Sequence, residues 1–203
     1  RARAVATFED GLEDYAAAPD GRSFVVVLAD PAPTGATEHS PRRITRSLSQ
    51  IDGQGLTDDR RTHLWRVTRG GGAPVRLTSG PFDDDSPAIS PDGEWVAFAS
   101  NRHPDPDATD DTDLYLVRAD GTGLRALATG PGPDTTPVWS HRGDRIAYLS
   151  VRRANDFYQP IRVATIALDG GAPVDLTGAL DNWVANDSPA AGTGPAAPIW
   201  SRD

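Results

Sequence analysis

Three consecutive aspartates, Asp83, Asp84 and Asp85, are the side chains of this sequence whose type and spacing most suggest chemistry. They directly precede a segment predicted to be a β-strand, so their carboxylates would gather at one end of a sheet. A carboxylate cluster at such a place could attract a cation such as the α-amino group of a peptide. We therefore assign them a substrate-steering role, with turn capping and solubility as the alternative.

A second group of aspartates follows in the next polar segment. Its Asp-x-Asp spacings offer oxygen ligands of the kind that Ca²⁺ prefers, so calcium binding is a further possibility. The members are Asp105, Asp107, Asp110, Asp111 and Asp113. The twelve-residue EF-hand pattern is not met, so no residue is assigned as a metal ligand and no cofactor is predicted.

The histidines and serines do not form a catalytic pattern. No histidine has a partner at a metal-like His-x-x-x-His spacing, and structural or solvent-exposed roles are predicted for all four, His39, His63, His103 and His141. Ser140 and His141 are adjacent, but adjacency does not place a hydroxyl against an imidazole nitrogen. Ser140 also matches Ser90 in a repeated turn, so no catalytic residue is assigned.

That turn belongs to a repeat. Residues 87–93 return at 137–143, and residues 198–203 begin the pattern again. In Ser90-Pro91-Asp92-Gly93, proline presets φ at the second position of the turn and glycine supplies a positive φ at the fourth. Ser140 follows Ser90 by 50 residues. A period near 50 with four short strands in each unit is typical of propeller blades.

The predicted fold is therefore all-β: a partial β-propeller of four-stranded antiparallel blades, with about three blades and the start of a fourth. The predicted units are blade one at 10–80 with an insertion at 29–62, blade two at 81–130, blade three at 131–178 and the start of blade four at 179–203. Within the insertion, Ile44, Leu48 and Ile51 fit either a short helical turn or an irregular strand.

The predicted strands are apolar on both faces. In the strand that begins at Trp95, alternation points Val96 and Phe98 to one side and Trp95, Ala97 and Ala99 to the other. This pattern favours sheets stacked face to face, in which each blade is covered by two neighbours.

The amino-acid composition limits the kinds of partner and bound group that this chain is expected to have. The net charge of −9 over 203 residues argues against a nucleic-acid-binding surface, and no apolar run is long enough to span a membrane. The absence of cysteine excludes disulfides and thiolate metal sites. The sequence contains no methionine, so we expect the N-terminus to have been trimmed, omitted or cleaved. The cellular compartment therefore stays open, with the cytoplasm favoured.

The chain ends inside the third copy of the turn repeat. Since a blade needs its neighbours to bury both faces, we expect this chain to be a piece of a larger protein. It should pack against the rest of its own propeller or assemble as an oligomer.

The sequence resembles the N-terminal propeller of prolyl-oligopeptidase-type serine peptidases, especially the acylaminoacyl-peptidase branch. The similarity covers residues 10–178, and its most discriminating part is the stretch from Asp58 to Trp65, which reads Asp-Asp-Arg-Arg-Thr-His-Leu-Trp. Further matching segments are Gly71 to Thr78, Phe82 to Pro87, Ser90 to Gly93 and Phe98 to Arg102.

The resemblance implies a non-catalytic propeller that gates peptide access to an α/β-hydrolase domain outside this chain. No Gly-x-Ser-x-Gly nucleophile elbow occurs here, so no catalytic residue is carried over, although the parent protein would be a serine exopeptidase or oligopeptidase. Some dipeptidyl relatives hold a substrate amine with paired acids from the propeller, which fits the steering role of Asp83 to Asp85.

The alternative is a non-enzymatic propeller of the TolB type, which uses the same Ser-Pro-Asp-Gly blades to bind a protein or peptide. The long insertion and the Asp58-to-Trp65 stretch favour the peptidase interpretation. A hydrolase domain encoded downstream would decide for the peptidase, and its absence would decide for the binder.

Overall fold

The computed structural model consists of β-strands, with no helix among the residues that it describes. Those residues are 4–8, 11–31, 45–46, 50–51, 55–56, 59–154, 156, 159–180, 182, 184–185 and 197–202. His39, Ile44, Leu48, Asp58 and Asp203 lie outside them. Because none of the described elements is a long apolar helix, the structure offers no helical membrane span within these ranges.

The strands form three antiparallel sheets of four strands each, as predicted. The strands of blade one are β1 (Asp14–Ala17), β2 (Ser23–Ala29), β5 (Thr62–Thr68) and β6 (Val75–Arg76), in that spatial order. Between β2 and β5, a short hairpin pairs β3 (Gln50–Ile51) with β4 (Gly55–Leu56). Of the two alternatives left open for Ile51, the structure therefore has the strand.

Blades two and three repeat the same meander. The strands of blade two are β7 (Asp84–Ile89), β8 (Trp95–Ser100), β9 (Asp113–Arg118) and β10 (Arg125–Ala128). The strands of blade three are β11 (Asp134–Trp139), β12 (Arg145–Ser150), β13 (Arg162–Ala167) and β14 (Val174–Asp175). The first strands β1, β7 and β11 lie next to one another, as the innermost strands of a propeller do.

The repeated turns have the predicted geometry. The Gly93 amide donates to the Ser90 carbonyl at 2.9 Å, and the Gly143 amide donates to the Ser140 carbonyl at 3.0 Å. Both glycines have positive φ, 76° and 73°, a region that is costly for any residue with a Cβ. In both blades this turn joins the first strand to the second.

The hydrophobic cores lie between blades, on the two faces of each sheet. Val96 and Phe98 pack toward blade one against Val25, Val27 and Leu64. The alternate residues Ala97 and Ala99 belong to a separate core shared with blade three, which contains Trp139, Ile146 and Tyr148. Burying a side chain such as Phe98 stabilises the fold by about 1.5–3 kcal/mol, so the packing of one blade on the next contributes to stability. The predicted division of the two faces is confirmed.

Candidate functional site

The aspartate run lies at the start of β7, and its three carboxylates have three different environments. Asp83 belongs to an ion-pair network that joins the blade-one insertion to the loop between β8 and β9. Arg61 contacts the carboxylate of Asp83 at 2.8 Å and that of Asp107 at 2.7 Å. Arg46 contacts the same two carboxylates. Two cations thus balance two anions, and Asp83 holds the insertion against blade two.

The Asp107 carboxylate shows how strong this network is. Partial burial by itself would raise the pKa of Asp107, but the hydrogen bond from Arg61 and the charges of Arg46 and Arg61 outweigh burial and lower it. The pairs are largely shielded from solvent, so they are screened less than ordinary surface pairs.

Asp84 is fully buried at the interface of blades one and two. Its carboxylate lies 3.1 Å from Nδ1 of His63 and accepts a 2.6 Å hydrogen bond from the Ser100 hydroxyl. Arg102 donates to both of its oxygens at 2.9 Å. The Nε2 atom of His63 lies 3.4 Å from the Asp30 carboxylate. This network joins the third strand of one blade to the first two strands of the next.

The presence of serine, histidine and aspartate in this network does not make it catalytic. The Ser100 hydroxyl donates to the carboxylate rather than to the imidazole, so no base is placed to activate it. His63, Asp84 and Ser100 are each 0 % exposed, which leaves no path for a substrate. The network therefore stabilises the stacking of the two blades.

Asp85 points to the exposed side of the same strand. Its surroundings desolvate the carboxyl although the residue is exposed, and this raises its pKa to about 6 despite a hydrogen bond from Ser86. The charges of Asp84, Asp14 and Asp83 raise it further. Asp14 begins β1, the neighbouring innermost strand, so two carboxylates from adjacent blades face the same region. Asp14 was missed from the sequence because its approach to Asp85 depends on how β1 packs beside β7.

A strained backbone accompanies this position. Ser86 has a φ of 49°, and the pairing of β7 with β8 shifts register between Asp85 and Ala88. Thr136 in blade three has a φ of 53° at the corresponding register shift. The repeat of this bulge in both blades indicates that the strained geometry at the start of the innermost strand belongs to the blade itself.

The second aspartate group is brought together with a histidine. Nε2 of His103 lies 3.8 Å from the Asp111 carboxylate and 3.9 Å from the Asp113 carboxylate. Among the described residues this is the group of side chains arranged closely enough to hold a metal ion. The sequence left calcium binding open for the group that contains Asp111 and Asp113, but it did not include His103, because the spacing of His103 and Asp111 matches no common metal motif.

The Ser140–His141 pair is not brought into a catalytic arrangement. The Ser140 hydroxyl donates to the Asp144 carboxylate at 2.8 Å, as Ser90 does to Asp92 in the preceding blade, while His141 is exposed on the turn. Asp144 thus replaces the acceptor that is lost where Arg142 stands in the position of Asp92. The structural role predicted for Ser140 is confirmed.

These features define a partial β-propeller with carboxylates beside its innermost strands. No protein-family model matches the chain. An uncharacterized protein of Agrobacterium fabrum is 27 % identical over 180 residues, which cover 78 % of this chain and 58 % of that protein. The uncharacterized peptidase YuxL of Bacillus subtilis is 31 % identical over 107 residues, which cover 49 % of this chain and 16 % of the peptidase.

Solved structures give the same picture of the fold. The acylaminoacyl peptidase of Pyrococcus horikoshii superposes with a TM-score of 0.61 at 14 % identity, over 90 % of this chain and 28 % of the peptidase. The putative TolB of Agrobacterium tumefaciens superposes with a TM-score of 0.52 at 24 % identity, over 81 % of this chain and 65 % of that protein. The predicted resemblance to the propeller of prolyl-oligopeptidase-type peptidases is confirmed, and at these identities it concerns the fold. The chain spans only part of the relatives that it matches.

Proposed function

We propose that this chain is the N-terminal part of the propeller of a serine exopeptidase or oligopeptidase, and that it gates peptide access to a hydrolase domain outside the chain. The observation that carries the proposal is the match to a peptidase at 31 % identity over 107 residues, together with the acylaminoacyl-peptidase fold. The chain itself contributes no nucleophile and acts through exclusion and steering.

Exclusion requires a rigid wall, and the inter-blade contacts supply it. The two cores and the buried network around Asp84 hold adjacent blades at fixed positions. A ring of such blades admits short or unfolded peptides and rejects folded proteins by size. Specificity then comes from the side chains on the innermost strands.

Steering is assigned mainly to Asp85, with Asp14 as the second carboxylate. Asp83 is balanced by two arginines and Asp84 is buried, so within the original run Asp85 is the residue that is exposed and has no cation paired with it among the described residues. Above its pKa of about 6, Asp85 is ionised and attracts the α-amino group of a peptide.

The first and third blades, which each lack a neighbour on one face, expose apolar side chains that would pack against the remainder of the protein. In blade one, Tyr15 is exposed on the innermost strand. In and after blade three, the exposed apolar residues are Val174, Leu176, Leu180 and Ile199. We assign these surfaces to further blades and to the hydrolase domain, and the predicted oligomer stays a prediction.

The test is to express the complete gene product and treat it with a fluorophosphonate probe, which labels activated serines covalently. We expect the complete protein to be labelled by the probe. We also expect it to cleave a short peptide faster than a folded protein that contains the same peptide sequence. The 203-residue chain by itself should take no label. A complete protein without label or peptidase activity would contradict the proposal.

The second candidate is a TolB-like propeller that binds a protein or peptide without cleaving it. It is favoured by the structural match to the putative TolB, which has a higher identity and covers a larger share of that protein than the peptidase match does. The same labelling experiment separates the two functions, because a binder retains peptide affinity with no labelled serine.

A further inference from the structure

The two blade interfaces differ in charge at equivalent positions. Asp134 follows Asp84 by 50 residues, and Asp113 follows His63 by 50. In each interface the aspartate of the first strand is hydrogen-bonded to a serine of the second strand, Ser100 or Ser150. Where the first interface places an imidazole opposite the buried aspartate, the second therefore places another carboxylate.

The arginine that pairs with the buried aspartate in the first interface has an equivalent in the second, but that equivalent does not contact the buried aspartate. Arg102 donates to both oxygens of Asp84. Its equivalent 50 residues later, Arg152, is 63 % exposed and pairs with Asp175 at 2.6 Å instead. Asp113 and Asp134 are nevertheless only 4 % and 3 % exposed. Buried carboxylates without a compensating positive charge are costly.

The side chains of His103 and Asp111 lie close to the carboxylate of Asp113, but the three do not hydrogen-bond to one another. Nε2 of His103 is 3.8 and 3.9 Å from carboxylate oxygens of Asp111 and Asp113, which is too long for a hydrogen bond. Nε2 of His103 and Oδ1 of Asp111 are both inaccessible to solvent and have no hydrogen-bond partner among the described residues. Two buried polar atoms are thus left unsatisfied beside a carboxylate pair.

We propose that His103, Asp111 and Asp113 bind a divalent transition-metal ion at the interface of blades two and three, with Asp134 as the adjacent carboxylate. One imidazole nitrogen with two or three carboxylates suits Zn²⁺ or Mn²⁺, whereas Ca²⁺ and Mg²⁺ prefer oxygen ligands alone. The ligand separations are compatible with such an ion, because ligands about 2.0–2.2 Å from one metal lie roughly 3–4 Å apart.

The site would do for the second interface what His63 and Arg102 do for the first. It supplies positive charge between two blades and satisfies the two orphaned atoms. The competing occupant of this buried site is a proton shared among the carboxylates, and the experiment must distinguish a proton from a metal ion.

The experiment is calorimetric titration of the purified, EDTA-stripped protein with ZnCl₂, and then with CaCl₂ as a second probe. We expect one Zn²⁺ per chain, a higher thermal midpoint with Zn²⁺ than with EDTA, and no comparable effect of Ca²⁺. His103→Gln and Asp111→Asn should each weaken Zn²⁺ binding by at least roughly tenfold. The controls are His141→Gln, an exposed histidine on a turn, and Asp105→Asn, an exposed aspartate of the same loop, and both should leave affinity unchanged.

A second readout covers variants that fold poorly. Co²⁺ added to the wild-type protein should give visible absorption typical of nitrogen and oxygen coordination, and excess Zn²⁺ should abolish it. The proposal is overturned if the wild-type protein takes up no Zn²⁺, or if His103→Gln binds it as tightly. It is equally overturned if Asp134→Asn stabilises a protein that binds no metal, since a proton then occupies the site.

Discussion

The indole nitrogen of Trp200 donates a hydrogen bond to the main-chain carbonyl of Val138 at 3.0 Å. Trp139, one blade earlier, makes the same bond to the carbonyl of Ala88 at 2.9 Å. Each tryptophan thus ties the innermost segment of one blade to the innermost strand of the preceding blade. The residues around Trp200 therefore occupy the place of a fourth blade's first strand, and the repeat seen in the sequence corresponds to a repeated contact in space.

The tryptophan bond should contribute measurably to stability. Trp139→Phe removes the donor of this hydrogen bond, so we expect a loss of about 0.5–1.5 kcal/mol in the free energy of unfolding. The matched control is Trp65→Phe, because the indole nitrogen of Trp65 is buried without a hydrogen-bond partner among the described residues. Urea denaturation measures both, and an equal loss in the two variants would show that the hydrogen bond contributes nothing.

The buried network around Asp84 should be the most sensitive polar site. Asp84→Asn leaves the Arg102 charge at the interface without its carboxylate, and we expect a loss of about 3 kcal/mol. The control is Asp120→Asn, an exposed aspartate that accepts hydrogen bonds from Thr122 in a turn. Its cost should be much smaller than that of Asp84→Asn, because the Asp120 side chain is exposed to solvent. If urea denaturation gave the two variants similar stabilities, the network around Asp84 would not contribute to the stability of the fold.

The turn glycine tests whether the repeated turn contributes to stability. Gly93 has a φ of 76°, and a Cβ built on it meets no atom within 4 Å, so the cost of Gly93→Ala is conformational alone. We expect about 1 kcal/mol of destabilisation by urea denaturation. Gly70→Ala is the control, since Gly70 has equal space and no positive φ. A Gly93→Ala variant as stable as Gly70→Ala would contradict this reasoning.

Asp85 should make stability decrease as pH rises. Its pKa is about 6 in the folded protein and about 3.9 in an unfolded chain, so the folded state binds the proton more tightly. Stability from this group is complete below about pH 4 and is lost as pH rises through about 6. Asp85→Asn should reduce the decline between pH 4.5 and 7.5 in urea denaturation and leave the share that Asp134 contributes. The control is Asp120→Asn, because hydrogen bonds from Thr122 lower the pKa of Asp120. This variant should leave the decline of stability over that pH range unchanged.

Steering by the same carboxylate makes a separate prediction for the complete gene product. Asp85→Asn should raise KM for peptides with a free α-amino group by several-fold, with little change in kcat, because the group attracts the substrate and does not react. The same peptides carrying an N-acetyl group are the control, and the variant should cleave them as the wild type does. An equal effect on both peptide sets would indicate a structural role for Asp85.

Local features of the fold could be predicted from the sequence. The positive φ at Gly93 and Gly143 follows from turn chemistry that involves four consecutive residues. The opposite facing of Val96 and Ala97 follows from the two-residue period of a strand. Each depends on backbone geometry within a few residues, and the 50-residue spacing extended it to three blades.

The candidate sites could not be predicted in the same way. Asp83, Asp84 and Asp85 look alike in the sequence, yet one is paired with arginines, one is buried and one is exposed. Their environments depend on Arg61, His63 and Asp14, which are supplied by another blade.

The sequence by itself thus determined the repeat, the strands, the turns and the partial propeller, because these depend on local steric and hydrophobic rules. Only the tertiary structure decided that Asp84 meets His63, that Asp85 lies near Asp14, and that His103 meets Asp111 and Asp113. These contacts depend on how one blade rotates against the next and how a loop folds over the interface, and no period in the sequence records either.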